Sequence, residues 1–245
     1  MPLLSDPELC ERLQIRPAAP TVTEDVLFPA GPYLLHGQLA YPEAGCAHGA
    51  VVIAGPHPCL GGNMRNNVVR GLGEGLAQKG LVTLRFDYRG VGRSQGPQVD
   101  VARYLVEFWQ TGHAPGEMDF WQDVHGAAEF VQQAAPGLPL ALVGYSFGCA
   151  LLPYVRPQQD RAALILIAPT VAKHNYDSFR PVTNPLLVVA SDDDFATDAQ
   201  RLEAWFGALA MPRQLVRQRC DNHFFRGHED WLVETVFRFL DGRGR

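Results

Sequence analysis

Six short runs, at 50–54, 81–86, 140–143, 163–168, 186–190 and 214–218, recur along the chain and read as buried strands. Most are continuously apolar rather than alternating, the pattern of parallel strands covered on both faces. Between them lie stretches of helical character at 64–78, 117–134, 147–155, 198–209 and 229–240. In the last of these Trp231, Val233, Val236, Phe237 and Leu240 form one apolar stripe. Two earlier strands, 22–28 and 33–40, flank Pro29-Ala30-Gly31-Pro32 and read as an antiparallel hairpin. Strand–helix alternation after such a hairpin predicts an α/β fold with a doubly wound, mostly parallel sheet. Residues 1–20, with Pro2, Pro7, Pro17 and Pro20, read as an N-terminal arm, and 21–245 as a single domain. Chemistry in such a sheet is expected beyond the carboxyl ends of its strands.

Composition narrows the function classes. With 21 Lys+Arg against 26 Asp+Glu and no basic cluster, the net charge of −5 disfavours a nucleic-acid or anionic-membrane surface. The longest good apolar run, 162–168, is far short of the roughly 18 residues of a membrane span. The start, Met-Pro-Leu-Leu-Ser-Asp, lacks the basic and apolar regions of a signal peptide, so a cytoplasmic protein is expected. Five cysteines with no C-x-x-C pair suggest neither a disulfide framework nor a zinc site. Gly71, Gly73 and Gly75 fail the dinucleotide-binding spacing and fall in a helical pattern, and no phosphate-binding loop is present. No cofactor and no metal are expected.

Two segments match G-x-S-x-G. Gly92-Arg93-Ser94-Gln95-Gly96 trails its strand by five loop residues and is followed by Pro97, which blocks a helix. Gly144-Tyr145-Ser146-Phe147-Gly148 directly follows the run 140–143 and leads into Cys149-Ala150-Leu151-Leu152. A nucleophile elbow needs a strand, a strained turn and a helix, so Ser146 is the candidate nucleophile and Ser94 the chance match. A serine hydroxyl requires a base, itself oriented by a carboxylate. The base candidates are His223 and His228, and His223 is preferred because it sits in the loop between the run 214–218 and the last helix. The acid candidates are Asp192, Asp193 and Asp194, after the run 186–190. His36, His48, His113, His125 and His174 have no placement that argues for chemistry. A developing oxyanion needs two N–H donors. Phe147 supplies one, and in the loop after 50–54, where Pro56 and Pro58 have none, His57 supplies the other through its backbone. The His57 side chain is expected to line the pocket or hydrogen-bond within it.

These segments together resemble the α/β-hydrolase superfamily. Gly55-Pro-His-Pro-Cys-Leu-Gly-Gly-Asn-Met-Arg-Asn-Asn67, Arg85-Phe-Asp-Tyr-Arg-Gly-Val-Gly-Arg-Ser94, Gly144-Tyr-Ser-Phe-Gly148 and Asp221-Asn-His-Phe-Phe225 are similar to its small bacterial branch with an H-P-H-P-x-x-G-G loop. The likeness runs from about Thr23 to Leu240. It implies an eight-stranded α/β-hydrolase sheet, metal-free hydrolysis of an ester, thioester or similar acyl bond, and a structural role for the Arg89-Gly90-x-Gly92-x-Ser94 loop. Gly55 stands where that branch has His, and Ala190-Ser191 replaces the usual glycine before the acid. Matching Phe195-Ala196-Thr197 to the branch's apolar-apolar-Pro selects Asp193 as the acid, whereas counting from Pro185 selects Asp194; the reading adopted is Asp193. No lid-sized insertion separates Pro169 from Pro185. Residues 98–116 do look inserted, and with Asp100 as cap, Val101, Tyr104, Leu105 and Phe108 form one helical face. This segment is expected to cap the pocket, with Phe108 and Trp109 walling an acyl site, although packing on the domain flank would use the same face. The expected function is therefore serine hydrolysis of a small-molecule carboxylic ester or thioester. C–C bond hydrolysis, peptidase work, or a non-catalytic binding module on the same scaffold are the alternatives.

Overall fold

The computed structural model describes residues 20–43, 47–155, 162–192, 194–210, 212–219 and 223–242. All but one residue of the N-terminal arm lie outside them. The strands are β1 Thr21–Ala30, β2 Tyr33–Pro42, β3 Ala50–Ala54, β4 Val82–Phe86, β5 Leu140–Tyr145, β6 Ala163–Ile167, β7 Leu186–Ser191 and β8 Arg213–Gln218. They form one eight-stranded sheet in the order β1-β2-β4-β3-β5-β6-β7-β8. The hairpin β1–β2 is antiparallel and β2 meets β4 antiparallel; every pairing from β4 to β8 is parallel. The carboxyl ends of β3 to β8 therefore open on one edge.

The side-chain period of a strand divides the core in two. Val52, Ala54, Leu142 and Leu166 face one side, where α3, Trp121–Ala134, buries Val124, Ala127, Ala128 and Val131. Val51, Ile53, Ala141 and Val143 face the other, covered by α1, Asn67–Gln78, and α6, Glu229–Leu240. A Cβ on Gly75 would come within 2.6 Å of Val233, so glycine is what lets α1 and α6 approach so closely. The remaining helices are α2 Val101–Thr111, α4 Phe147–Leu151 and α5 Ala199–Gly207.

Three helices differ from the sequence expectation for local reasons. The first begins at Asn67 rather than at residue 64, because the Asn66 side chain accepts the Val68 N–H as its cap. The stretch 117–134 divides into a 3₁₀ turn, Glu117–Phe120, and α3. The stretch 147–155 ends as a 3₁₀ turn, Leu152–Tyr154, where Pro153 lacks the amide an α-helix would need. In α2 the Asp100 cap forms as expected, accepting the Arg103 N–H at 3.1 Å, but the helix buries none of its residues fully. Val99 and Tyr104 are partly buried against the core, while Leu105 is 38% and Trp109 84% exposed.

Candidate active site

Ser146 sits where β5 turns into α4, with φ 56° and ψ −119°, a left-handed conformation that costs a non-glycine residue strain. The crossing is tight enough to exclude side chains on both flanks. A Cβ on Gly144 would lie 2.6 Å from the Cys149 backbone, and one on Gly148 would lie 2.3 Å from the Ala54 carbonyl oxygen. The Ser146 N–H donates to the Ile167 carbonyl at 2.8 Å, which ties the turn to β6. Strain held by these fixed neighbours aims the serine side chain out over the sheet edge.

Two other strand ends meet it there. His223, in the loop between β8 and α6, places Nε2 2.8 Å from Ser146 Oγ. Its Nδ1 lies 2.8 and 2.9 Å from the two carboxylate oxygens of Asp194, just past β7. Both side chains are nearly sealed, Asp194 at 1% and His223 at 5% exposure. Asp194 is oriented in turn by accepting the Ala196 N–H, and the Tyr145 hydroxyl donates to the His223 carbonyl. Asp193, the acid adopted from the motif register, lies outside the described residues; the carboxylate brought to His223 is that of Asp194. His228 is elsewhere, at the N-terminal boundary of α6, its Nδ1 accepting from Gln218 Nε2. Phe195 and Phe224 flank the His223 ring and are 72% and 39% exposed.

The loop after β3 packs against the elbow. His57 caps the 3₁₀ turn Pro58–Leu60, its Nδ1 accepting the Cys59 N–H at 3.1 Å, and its ring lies 4.2 Å from that of Phe147. Because Nδ1 accepts, Nε2 carries the proton, which it donates to Glu117 Oε2 at 3.0 Å. Burial lowers the His57 pKa, and the Glu117 carboxylate partly opposes that. Phe108 of α2 approaches the His57 ring at 6.2 Å, whereas Trp109 is presented to solvent. Of the two residues expected to wall the pocket, only Phe108 reaches the neighbourhood of the site.

The sequence reading passed over a buried polar cluster on this wall. Glu117 accepts from Ala114 N–H and His57, while His113 Nδ1 stands 3.1 Å and His174 Nε2 3.4 Å from its Oε1. Burial alone would raise the Glu117 carboxyl. The His174 and His57 imidazoles and the Ala114 N–H outweigh it and hold the group well below the usual carboxylate range. The i,i+4 spacing of His113 and Glu117 is a weak local signal; nothing near His174 in the chain announces the third member.

Ser94 is occupied structurally. Its hydroxyl donates to the Asp87 carbonyl at 2.6 Å and accepts the His36 N–H at 2.9 Å. The same loop is anchored by Arg89, whose backbone N–H and Nε donate to the fully buried Asp123 carboxylate at 2.8 and 2.7 Å. Burial nonetheless leaves the Asp123 pKa raised, Arg89 only partly offsetting it.

Comparison with known proteins agrees with this fold. The sequence profile of the family described as serine aminopeptidase, S33, matches residues 57–229. An α/β serine hydrolase homologue from Coxiella burnetii is 29% identical with a TM-score of 0.72, over 89% of this chain and 97% of its own. An α/β serine hydrolase without a lid from Xanthomonas campestris is 28% identical with a TM-score of 0.67, over 90% and 94%. An uncharacterized protein of Rickettsia prowazekii is 25% identical over 76% of this chain and 75% of its own length.

Proposed function

The chain belongs to the serine aminopeptidase S33 family of α/β-hydrolases, and from that premise we propose that it cleaves a carboxylic ester or thioester through an acyl-enzyme on Ser146. The observation that carries this is the unbroken line from Ser146 Oγ to His223, at 2.8 Å, and from His223 to the buried Asp194, at 2.8 Å. In this reading Asp194 accepts Nδ1–H and so keeps the Nε2 lone pair on Ser146. As Ser146 Oγ attacks the acyl carbonyl, His223 takes its proton and Asp194 stabilises the imidazolium that forms. The backbone N–H groups of Phe147 and His57 receive the oxyanion. Collapse of the tetrahedral species expels the alcohol or thiol, which takes the proton from His223. A water deprotonated by His223 then releases the acid and restores the serine.

Segment 98–116 serves as a partial cap in the same proposal. Phe108 beside His57, with Phe195 and Phe224 beside His223, offers aromatic surface to a medium-sized apolar acyl group. The His57 side chain is engaged by Cys59 and Glu117, so it acts by holding its own backbone in place rather than by exchanging protons with substrate.

The test is labelling by a fluorophosphonate probe, followed by competition with a panel of acyl esters, thioesters, amides and C–C substrates. Wild-type protein labels once and Ser146→Ala not at all, with esters or thioesters competing best. Absence of labelling in folded wild type would favour a binding module, and preferential turnover of an amide or a C–C substrate would reassign the bond cleaved.

A further inference from the structure

We propose that His113, Glu117 and His174 form a Zn²⁺ site that fastens segment 98–116 to the loop after β6. His113 and Glu117 follow α2, and His174 belongs to the loop between β6 and β7, so one ion would join segments far apart in the chain. One ligand atom from each residue lies within 4.8 Å of the others, with Glu117 Oε1 3.1 Å from His113 Nδ1 and 3.4 Å from His174 Nε2. Ligand atoms bound tetrahedrally at zinc distances of about 2.0–2.1 Å stand roughly 3.3 Å apart, a spacing that two of the three pairs already have. Two imidazole nitrogens and one carboxylate oxygen suit Zn²⁺ better than the oxygen-seeking Ca²⁺ or Mg²⁺.

A second observation points to a ligand here. His174 Nε2 is buried, its side chain only 6% exposed, and its polar neighbour is Glu117 Oε1 at 3.4 Å, too long for a strong hydrogen bond. A buried nitrogen held only by so long a contact gains from a stronger partner. His174 Nδ1 meets Thr170 Oγ1 at 2.8 Å, so in the metal-bound form Nδ1 donates to that hydroxyl and Nε2 gives its lone pair to the ion beside Glu117 Oε1. This is the outer hydrogen bond that metal-bound histidines characteristically make. A cation would take that lone pair and offset the buried carboxylate, while Glu117 Oε2 keeps its bonds to His57 and Ala114. Three protein ligands leave a fourth position for water, on the side where His113 is 59% exposed.

The experiment uses the full chain after chelator treatment, titrated with Zn²⁺ by calorimetry and with Co²⁺ by visible absorption. The expected result is 1:1 binding, a Tm rise of roughly 5–10 °C at a hundredfold excess over Kd, and tetrahedral Co²⁺ bands. Thr170→Val should weaken binding by about 10–100-fold, and His174→Ala and His113→Ala more. His113 is largely exposed, so His113→Ala keeps the fold even where the buried His174 substitution disturbs it. No binding tighter than about 100 µM, or unchanged affinity in folded His113→Ala, would overturn the site. The readouts are affinity and Tm, so they are independent of whether Ser146 is the nucleophile.

Discussion

Replacing Asp194 by Asn alters one atom of a sealed pair. In the wild type both carboxylate oxygens lie within 2.9 Å of His223 Nδ1, and Oδ1 also accepts the Ala196 N–H at 2.8 Å. An asparagine that keeps its carbonyl on the Ala196 N–H puts its NH₂ in the place of Oδ2, 2.9 Å from His223 Nδ1. An NH₂ can only donate, so it repels Nδ1–H and favours the tautomer with the imidazole proton on Nε2. Nε2–H then faces Ser146 Oγ as a donor, and the lone pair that would take the serine proton is lost. With the acid 1% exposed, no bulk water restores the other tautomer. The expected loss is about 10⁴ in kcat, or about 5.4 kcal/mol of barrier at 1.36 kcal/mol per decade, with Tm little changed. The assay is steady-state hydrolysis of an activated acyl ester, with fluorophosphonate labelling rate as a second readout and Asp193→Asn as the control. Near wild-type turnover in Asp194→Asn, with the large loss in Asp193→Asn instead, would refute the assignment and return the acid to the motif register.

Other perturbations separate structural from chemical roles. Ser94→Ala should keep fluorophosphonate labelling while costing about 1–3 kcal/mol, because the buried His36 N–H and Asp87 carbonyl each lose a partner; denaturant melts measure the cost, and loss of labelling in a folded variant would contradict it. Arg89→Met should cost about 3–5 kcal/mol by leaving the 0% exposed Asp123 carboxylate unpaired, and the double variant Arg89→Met/Asp123→Leu should recover much of that in chemical denaturation. Phe108→Ala should raise KM for bulky acyl esters more than for acetyl esters, whereas Trp109→Ala, at an 84% exposed position, should change neither KM nor Tm appreciably. Equal effects of the two substitutions on chain-length preference would mean that α2 meets substrate by a different face.

What the amino-acid order determined by itself is what short-range physics controls. Continuous apolar runs mark parallel strands because both faces of such a strand are covered, as β3, β5, β6 and β7 are. The elbow was equally local, since strand, glycines and helix around Ser146 are contiguous. Tertiary structure decided whatever depends on segments far apart in the chain. Which of three consecutive aspartates meets His223 turns on how the end of β7 is directed toward the loop after β8, a one-residue matter that composition and motif spacing do not encode. Whether α2 buries its apolar face depends on the surface beneath it, and there Phe108 turns toward His57 while Trp109 remains in solvent. His113, Glu117 and His174 converge only because the segment after β4 and the loop after β6 open on the same sheet edge. A buried carboxylate surrounded by imidazoles acquires its charge state from neighbours some sixty residues away, as Glu117 does from His57. That coupling exists only once the chain has folded.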